Sequence, residues 1–116
     1  MSIIERPMYE ERKWGTYRVL DIKEGWLVKE LVVFPGKNLS YQKHSHRDEV
    51  WTISQGTGTL VIDGKRIRVE RGSIADIKRG QLHSIKADEG VELRILEVQL
   101  GDPLIEEDIE RFDFEW

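Results

Sequence analysis

Apolar and polar residues alternate along this chain in short runs cut by turn residues, and no interval between runs leaves space for a helical crossover. The pattern predicts an all-β sandwich or barrel. Strands are expected near Thr16–Leu20, Trp26–Phe34, Asn38–His44, Glu49–Ser54, Gly58–Ile62, Lys65–Val69, Ser73–Ile77, Leu82–Lys86 and Val91–Gln99. Asp63-Gly64 is the clearest hairpin turn, since both residues tolerate positive φ; Glu24-Gly25 and Glu89-Gly90 mark two more. Only Pro103 to Phe112 reads as helical, with Leu104, Ile105, Ile109 and Phe112 spaced near three and four beside an acidic first turn. At 116 residues there is room for one domain around one core.

Inside that pattern two runs carry fixed spacings: Gly36-x5-Gln42-x-His44-x4-Glu49-x6-Gly56 and, fifteen residues on, Gly72-x7-Gly80-x2-His83. Residues two apart on a strand point to one face, so Gln42 and His44 present an amide oxygen and an imidazole nitrogen to a common point. Glu49 can reach that point from the next strand. In Leu82-His83-Ser84-Ile85, alternation sends His83 inward with Ile85. Two imidazoles, a carboxylate and an amide oxygen make a set that suits zinc, manganese, cobalt, nickel or iron, and ligand type alone does not choose among these divalent metals. The competing reading is a metal-free barrel whose polar interior is wet and hydrogen-bonded. His46 shares a face with His44, so His44 with His46 is an alternative ligand pair.

The two runs resemble the paired motifs of the cupin superfamily, double-stranded β-helix or jelly-roll barrels that hold a divalent metal inside. The usual first motif is Gly-x5-His-x-His, then three or four residues, Glu, six residues and Gly; Gln42 stands where the first His usually is. The four residues between His44 and Glu49 match that motif, which favours Gln42 over His46 as the partner of His44. The usual second motif is Gly-x5-Pro-x-Gly-x2-His-x3-Asn, and here Lys78 replaces the Pro and Ala87 the Asn.

A closer resemblance is carried by Glu11-Arg12-Lys13-Trp14-Gly15-Thr16-Tyr17, by Ser40-Tyr41-Gln42-Lys43-His44-Ser45-His46-Arg47-Asp48-Glu49-Val50-Trp51, and by Glu97-Val98-Gln99-Leu100-Gly101-Asp102. These runs resemble the cupin domain that ends type II mannose-6-phosphate isomerases, often fused behind a mannose-1-phosphate guanylyltransferase. The tail Glu106-Glu107-Asp108-Ile109-Glu110-Arg111-Phe112 resembles the acidic helix closing that domain. The resemblance implies a cupin barrel with a short C-terminal helix, a metal held by Gln42, His44, Glu49 and His83, a homodimer joined by N-terminal strands, and isomerisation of a sugar phosphate. Because the chain starts at the cupin, guanylyl transfer is not expected.

Isomerisation of an aldose to a ketose removes a proton beside a carbonyl and stabilises the resulting enediolate, which a divalent metal assists by polarising the oxygens. It also needs a base within hydrogen-bond reach of the migrating proton. His46, Lys29 and Asp76 are the candidates, with His46 and Lys29 favoured as catalytic. A phosphate requires cations, for which Arg47, Lys78, Arg79 and Lys29 can serve. The related isomerase domains usually carry Arg directly after the second-motif His, where this chain has Ser84. That departure favours a non-catalytic barrel that binds a sugar or another small polar ligand as the first alternative function. An iron-dependent oxygen-using cupin is the second.

The formal charge of −4, with 22 acidic against 18 basic residues, argues against a nucleic-acid surface. Lys65, Arg66, Arg68 and Arg71 read as a solvated strand face, and Trp14 to Tyr17 as packing at the barrel mouth. Trp26 and Trp51 are aromatic enough to stack on a sugar, although core packing is the commoner use. With no cysteine, no leader-like N-terminus and no long apolar run, a cytoplasmic protein without a membrane partner is expected.

Overall fold

A computed structural model describes residues 8–116. Eleven strands run in chain order as β1 (Tyr9–Arg12), β2 (Gly15–Lys23), β3 (Trp26–Val33), β4 (Tyr41–Lys43), β5 (Arg47–Gln55), β6 (Gly58–Ile62), β7 (Lys65–Val69), β8 (Ile74–Ile77), β9 (His83–Ala87), β10 (Leu93–Gly101) and β11 (Glu110–Phe112). They form a six-stranded sheet in the order β1-β2-β3-β10-β5-β8 and a five-stranded sheet in the order β11-β4-β9-β6-β7. All strand pairs are antiparallel, as the short turn-punctuated runs require. Among the described residues no helix is long and apolar enough to cross a membrane.

The register shows how the interior divides. Residues directly opposite one another share a face, so each row across a sheet is a layer of the interior. In the larger sheet Leu31, Ile95 and Ile53 form an apolar row. One inward position along, the row is Lys29, Glu97, Trp51 and Ala75; the next is Leu27, Gln99, Glu49 and Ile77. The smaller sheet changes likewise, from Leu60 opposite Ile85 to a row of Ile62, His83, Gln42 and Arg111. One end of the barrel is therefore filled by aliphatic side chains, and the other holds polar ones.

The helix expected over Pro103 to Phe112 does not form. The segment makes a turn and then the strand β11, whose Glu110, Arg111 and Phe112 lie opposite Lys43, Gln42 and Tyr41 of β4. A ten-residue segment has little helical stability of its own. Here Leu104 is buried and the Asp108 carboxylate accepts the backbone N–H groups of Ser45 and His46 at 2.8 and 2.9 Å, so tertiary partners prevail over local spacing. Two short edge strands, β1 and β11, lie outside the expected set, and the strand expected over Asn38–His44 contracts to Tyr41–Lys43 with an isolated bridge from Asn38 to Lys86.

Gly15 and Gly64 both have positive φ, and only Gly15 adds a close approach. A Cβ on Gly15 would stand 1.8 Å from the Val32 carbonyl oxygen of the neighbouring strand. Gly64, at φ +80° in the Asp63-Gly64 hairpin, has nothing within 4 Å of an added Cβ. Gly15→Ala is expected to destabilise by about 3 kcal/mol through backbone overpacking. Gly64→Ala should cost about 1 kcal/mol through strain alone. Urea unfolding of the two variants measures the difference, and equal losses would show that the close approach at Gly15 is not what requires glycine there.

Candidate active site

Three buried side chains meet at the polar end of the barrel. His44 leaves the end of β4, His83 opens β9 and Glu49 lies within β5. The ligand-competent atoms of the three all lie within 4.8 Å of one another. A ring nitrogen facing a carbonyl oxygen must carry the proton, so Nδ1 of His44 donates to the Asp108 carbonyl at 2.7 Å and Nδ1 of His83 donates to that of Gln81 at 2.9 Å. Both Nε2 lone pairs are thereby turned toward Glu49, at 3.3 Å from Oε2 for His44 and 3.7 Å from Oε1 for His83.

Glu49 is fastened as well. Trp51 Nε1 donates to its Oε1 at 2.9 Å and Arg47 Nε to its Oε2 at 2.8 Å, while the Arg47 guanidinium also comes within 3.3 Å of His44 Nε2. Gln42 is directly opposite His83 on the same face, and its Oε1 accepts the Ser40 hydroxyl at 2.9 Å, which leaves a second lone pair. His83 Nε2 has no hydrogen-bond partner although the residue is 0 % exposed. A buried lone pair without a partner is costly, and a cation removes that cost. Bonds of about 2.0–2.2 Å to one ion place ligand atoms about 3–3.5 Å apart, close to the spacings found here. The residues fit a divalent metal.

Electrostatics sharpen that fit. Burial lowers the His44 pKa to about 4, with the Arg47 charge adding to it and Glu49 opposing, so the imidazole is neutral near neutral pH. Burial alone would raise the Glu49 carboxyl, but the Arg47 guanidinium, by its charge and its hydrogen bond, outweighs it and holds the group ionised. Glu97 goes the other way. Its burial and the nearby Glu49 charge raise its pKa, against the opposing charges of Lys29 and Arg47 and the Gln99 hydrogen bond.

A cavity of about 300 Å³ opens beside this group, walled by Lys29, Gln42, His44, Arg47, Glu97 and Gln99. Lys29 Nζ lies 3.7 Å from Glu97 Oε2 and 4.5 Å from the centre of the Tyr17 ring, and Gln99 Nε2 donates to the same Glu97 oxygen at 2.7 Å. Arg12 of β1 and Arg111 of β11 reach the cavity from the rim.

The fold thus brings together Gln42, His44, Glu49, His83, Lys29 and Arg47. It does not bring the other expected residues to the cavity. His46 is exposed in the bend after His44 and uses its backbone N–H on Asp108. Lys78 and Arg79 have side chains 62 % and 53 % exposed beyond β8, facing Asp76 and Asp48, and Asp76 is itself exposed. Ser84 alternates away from His83, and its hydroxyl donates to the Leu39 carbonyl at 2.7 Å. Trp51 is a core residue that orients Glu49, and Trp14 borders the cavity. Glu97, Gln99, Tyr17, Arg12 and Arg111 lie in the runs that carry the family resemblance but were given no site role. For Glu97 and Gln99 the signal was present, because they continue the inward face of Leu93 and Ile95 at period two.

The sequence profile of the family described as mannose-6-phosphate isomerase C-terminal matches residues 4–114. The chain belongs to that family. Among relatives of the family domain, the mannose-1-phosphate guanylyltransferase ManC of Salmonella typhimurium is 34 % identical over 111 residues, covering 94 % of this chain and 23 % of its own length. The alginate biosynthesis protein AlgA of Pseudomonas putida is 35 % identical over 102 residues, covering 88 % of this chain and 21 % of its own length. The chain therefore spans less than a quarter of the length of these curated relatives.

Solved structures agree on the fold. A Klebsiella pneumoniae protein with a double-stranded β-helix domain superposes with a TM-score of 0.78 at 19 % identity, covering 98 % of this chain and 96 % of that one. A sugar phosphate isomerase from a cupin superfamily, from Silicibacter pomeroyi, gives 0.70 at 18 % identity over 78 % of this chain and 61 % of its own. The family domain is a cupin barrel.

The depressed His44 pKa has a consequence for metal-free protein. An unfolded histidine titrates near 6.5 and the folded one at about 4, so between those values the unfolded state binds more protons. Stability should be full above about pH 6.5 and fall as the pH drops toward 4. An NMR titration of His44 with parallel unfolding curves measures both, and a His44 midpoint near 6.5 would contradict the buried, neutral arrangement.

Proposed function

We propose that this chain is a divalent-metal-dependent aldose–ketose isomerase acting on a sugar phosphate, with mannose 6-phosphate as the first substrate to test. The observation that carries the reading is the buried trio of His44, Glu49 and His83, with an unpartnered imidazole nitrogen, whose His44 lines a cavity shared with a lysine and a second carboxyl group. The family description supplies the substrate class. A cavity of about 300 Å³ is at the lower end of the range for small-molecule sites.

His44, Glu49 and His83 would hold the metal, with Gln42 beside them on the His83 face. When bound, the ion supplies Lewis-acid polarisation of the carbonyl and hydroxyl oxygens of the sugar. The chain's own residues do the rest. Asp108 and Gln81 hold the imidazoles in the tautomer that leaves Nε2 free, and such hydrogen bonds are commonly worth 10- to 100-fold in metal affinity, as an order of magnitude. Trp51 and Arg47 fix the Glu49 carboxylate. Lys29 and Arg47 offer cations inside the cavity and Arg12 and Arg111 offer them at the rim, where a phosphate can be held.

The test is a linked-enzyme assay for fructose 6-phosphate from mannose 6-phosphate, on protein stripped of metal and reloaded separately with zinc, manganese, cobalt, nickel and iron. Turnover is expected with at least one metal and should fall by a factor of about 100 or more in His83→Ala. That variant should lose stoichiometric metal by mass spectrometry yet keep its far-ultraviolet circular dichroism. Full metal retention by His83→Ala would sink the ligand set. Absence of turnover with every metal, together with tight binding of the sugar phosphate, would establish a binding barrel instead.

A further inference from the structure

Isomerising an aldose phosphate, the reading on which this step rests, requires a group that takes a proton from one carbon and returns it to the next. His46 and Asp76 are exposed and border no part of the cavity. Lys29 does border it, but its Nζ is engaged between the Glu97 carboxyl at 3.7 Å and the face of Tyr17 at 4.5 Å from the ring centre. Glu106 touches the cavity from an exposed turn, in competition with water.

Glu97 has the required placement. It projects from the inner face of β10, is 3 % exposed and lines the cavity. It lies one inward position from Gln99, which is directly opposite Glu49, so the two carboxylates are diagonal neighbours with backbones about 7–8 Å apart. His44 of the trio and Glu97 line the same cavity, so a sugar held against His44 has the Glu97 carboxyl on the wall beside it. Gln99 Nε2 at 2.7 Å and Lys29 Nζ at 3.7 Å both engage Oε2, which sets the orientation of the carboxyl.

We propose that Glu97 is the general base, held by Gln99 and Lys29, that carries the proton between C2 and C1 of the sugar phosphate. In the forward step the C2–H bond breaks, its proton passes to Glu97 and its electron pair forms C1=C2, while the C1=O π pair moves to O1. In the return step Glu97 delivers the proton to C1, the O2–H pair becomes C2=O, and O1 gains the proton that O2 loses. C1 is reduced and C2 oxidised within one molecule, so no outside oxidant or reductant is needed.

The experiment uses the full metal-reconstituted chain and its Glu97→Gln and Glu97→Asp variants in deuterated water. Wild type should place deuterium at C1 of fructose 6-phosphate. Glu97→Gln, which preserves shape, should keep metal stoichiometry and change KM little, while kcat and deuterium incorporation fall by a factor of about 10² to 10⁴. Should Glu97→Gln fail to fold, Glu97→Asp carries the test, since a retracted carboxylate should retain incorporation at reduced kcat. Turnover and incorporation at wild-type rates in Glu97→Gln would overturn the base while leaving the isomerase standing. So would loss in Glu106→Gln with Glu97→Gln unaffected. An inactive wild type with every metal would overturn both readings.

Discussion

A carboxylate that is 1 % exposed inside a β-barrel survives as an anion only if its neighbours replace the water it has lost, and Glu49 is such a group. Arg47 and Trp51 donate to its two oxygens, and two imidazoles turn their Nε2 atoms toward it. The neighbours come from three elements. Arg47 and Trp51 sit two residues either side of Glu49 on β5, so alternation alone puts all three on the inner face. His83 comes from the first position of β9 and His44 from the end of β4. The polar end of the barrel is the part of the structure with least freedom to vary, because removing one partner leaves a buried charge incompletely compensated.

The return of the chain terminus completes this arrangement. Asp108 lies sixty-four residues after His44, yet its carbonyl accepts the His44 Nδ1 proton. Its carboxylate accepts the next two backbone N–H groups, which otherwise would face a bend without partners. The two hydrogen-bonded N–H groups and the nearby charges of Arg47 and His44 overcome burial and hold the Asp108 carboxyl below its usual range. Strand β11 then pairs with β4, which brings Arg111 opposite Gln42. A helix in this segment would satisfy its own backbone and leave the His44 loop without these acceptors. The segment is better understood as a brace for the site than as a cap on the barrel.

What could be read from the sequence follows from how far each constraint reaches along the chain. Period-two alternation and the Asp63-Gly64 turn are local, and they located most strands and the hairpin. The motif spacing pointed Gln42, His44, Glu49 and His83 into the interior from the two sheets because strand geometry turns a fixed spacing into a fixed direction. Residues whose roles depend on a distant partner were not legible in the same way. Lys78 and Arg79 belong to a loop whose course is set by Asp48 and Gln81, and nothing local shows that this loop faces outward. The helical spacing from Pro103 to Phe112 was real, but it competed with pairing to β4, a strand far earlier in the chain. Glu97 lay between these cases, since its direction followed from alternation while its meaning required the neighbouring rows.

Charge balance connects the buried acids to the kind of ligand the cavity can accept. Glu49 and Glu97 pair with Arg47 and Lys29, so these four side chains are close to neutral when both acids are ionised. On the isomerase reading a divalent ion adds two positive charges to this enclosure, and the low dielectric makes that surplus costly. A phosphate monoester brings a charge of about −1.5 to −2 at neutral pH, which nearly restores neutrality. A neutral sugar would leave the surplus in place. The same arithmetic bears on Glu97: a positive ion beside Glu49 offsets the charge that raises the Glu97 pKa, so metal loading would favour its ionised form. Metal, phosphate and base are then linked through one enclosed field, and the closeness of the Glu49 and Glu97 rows is what links them.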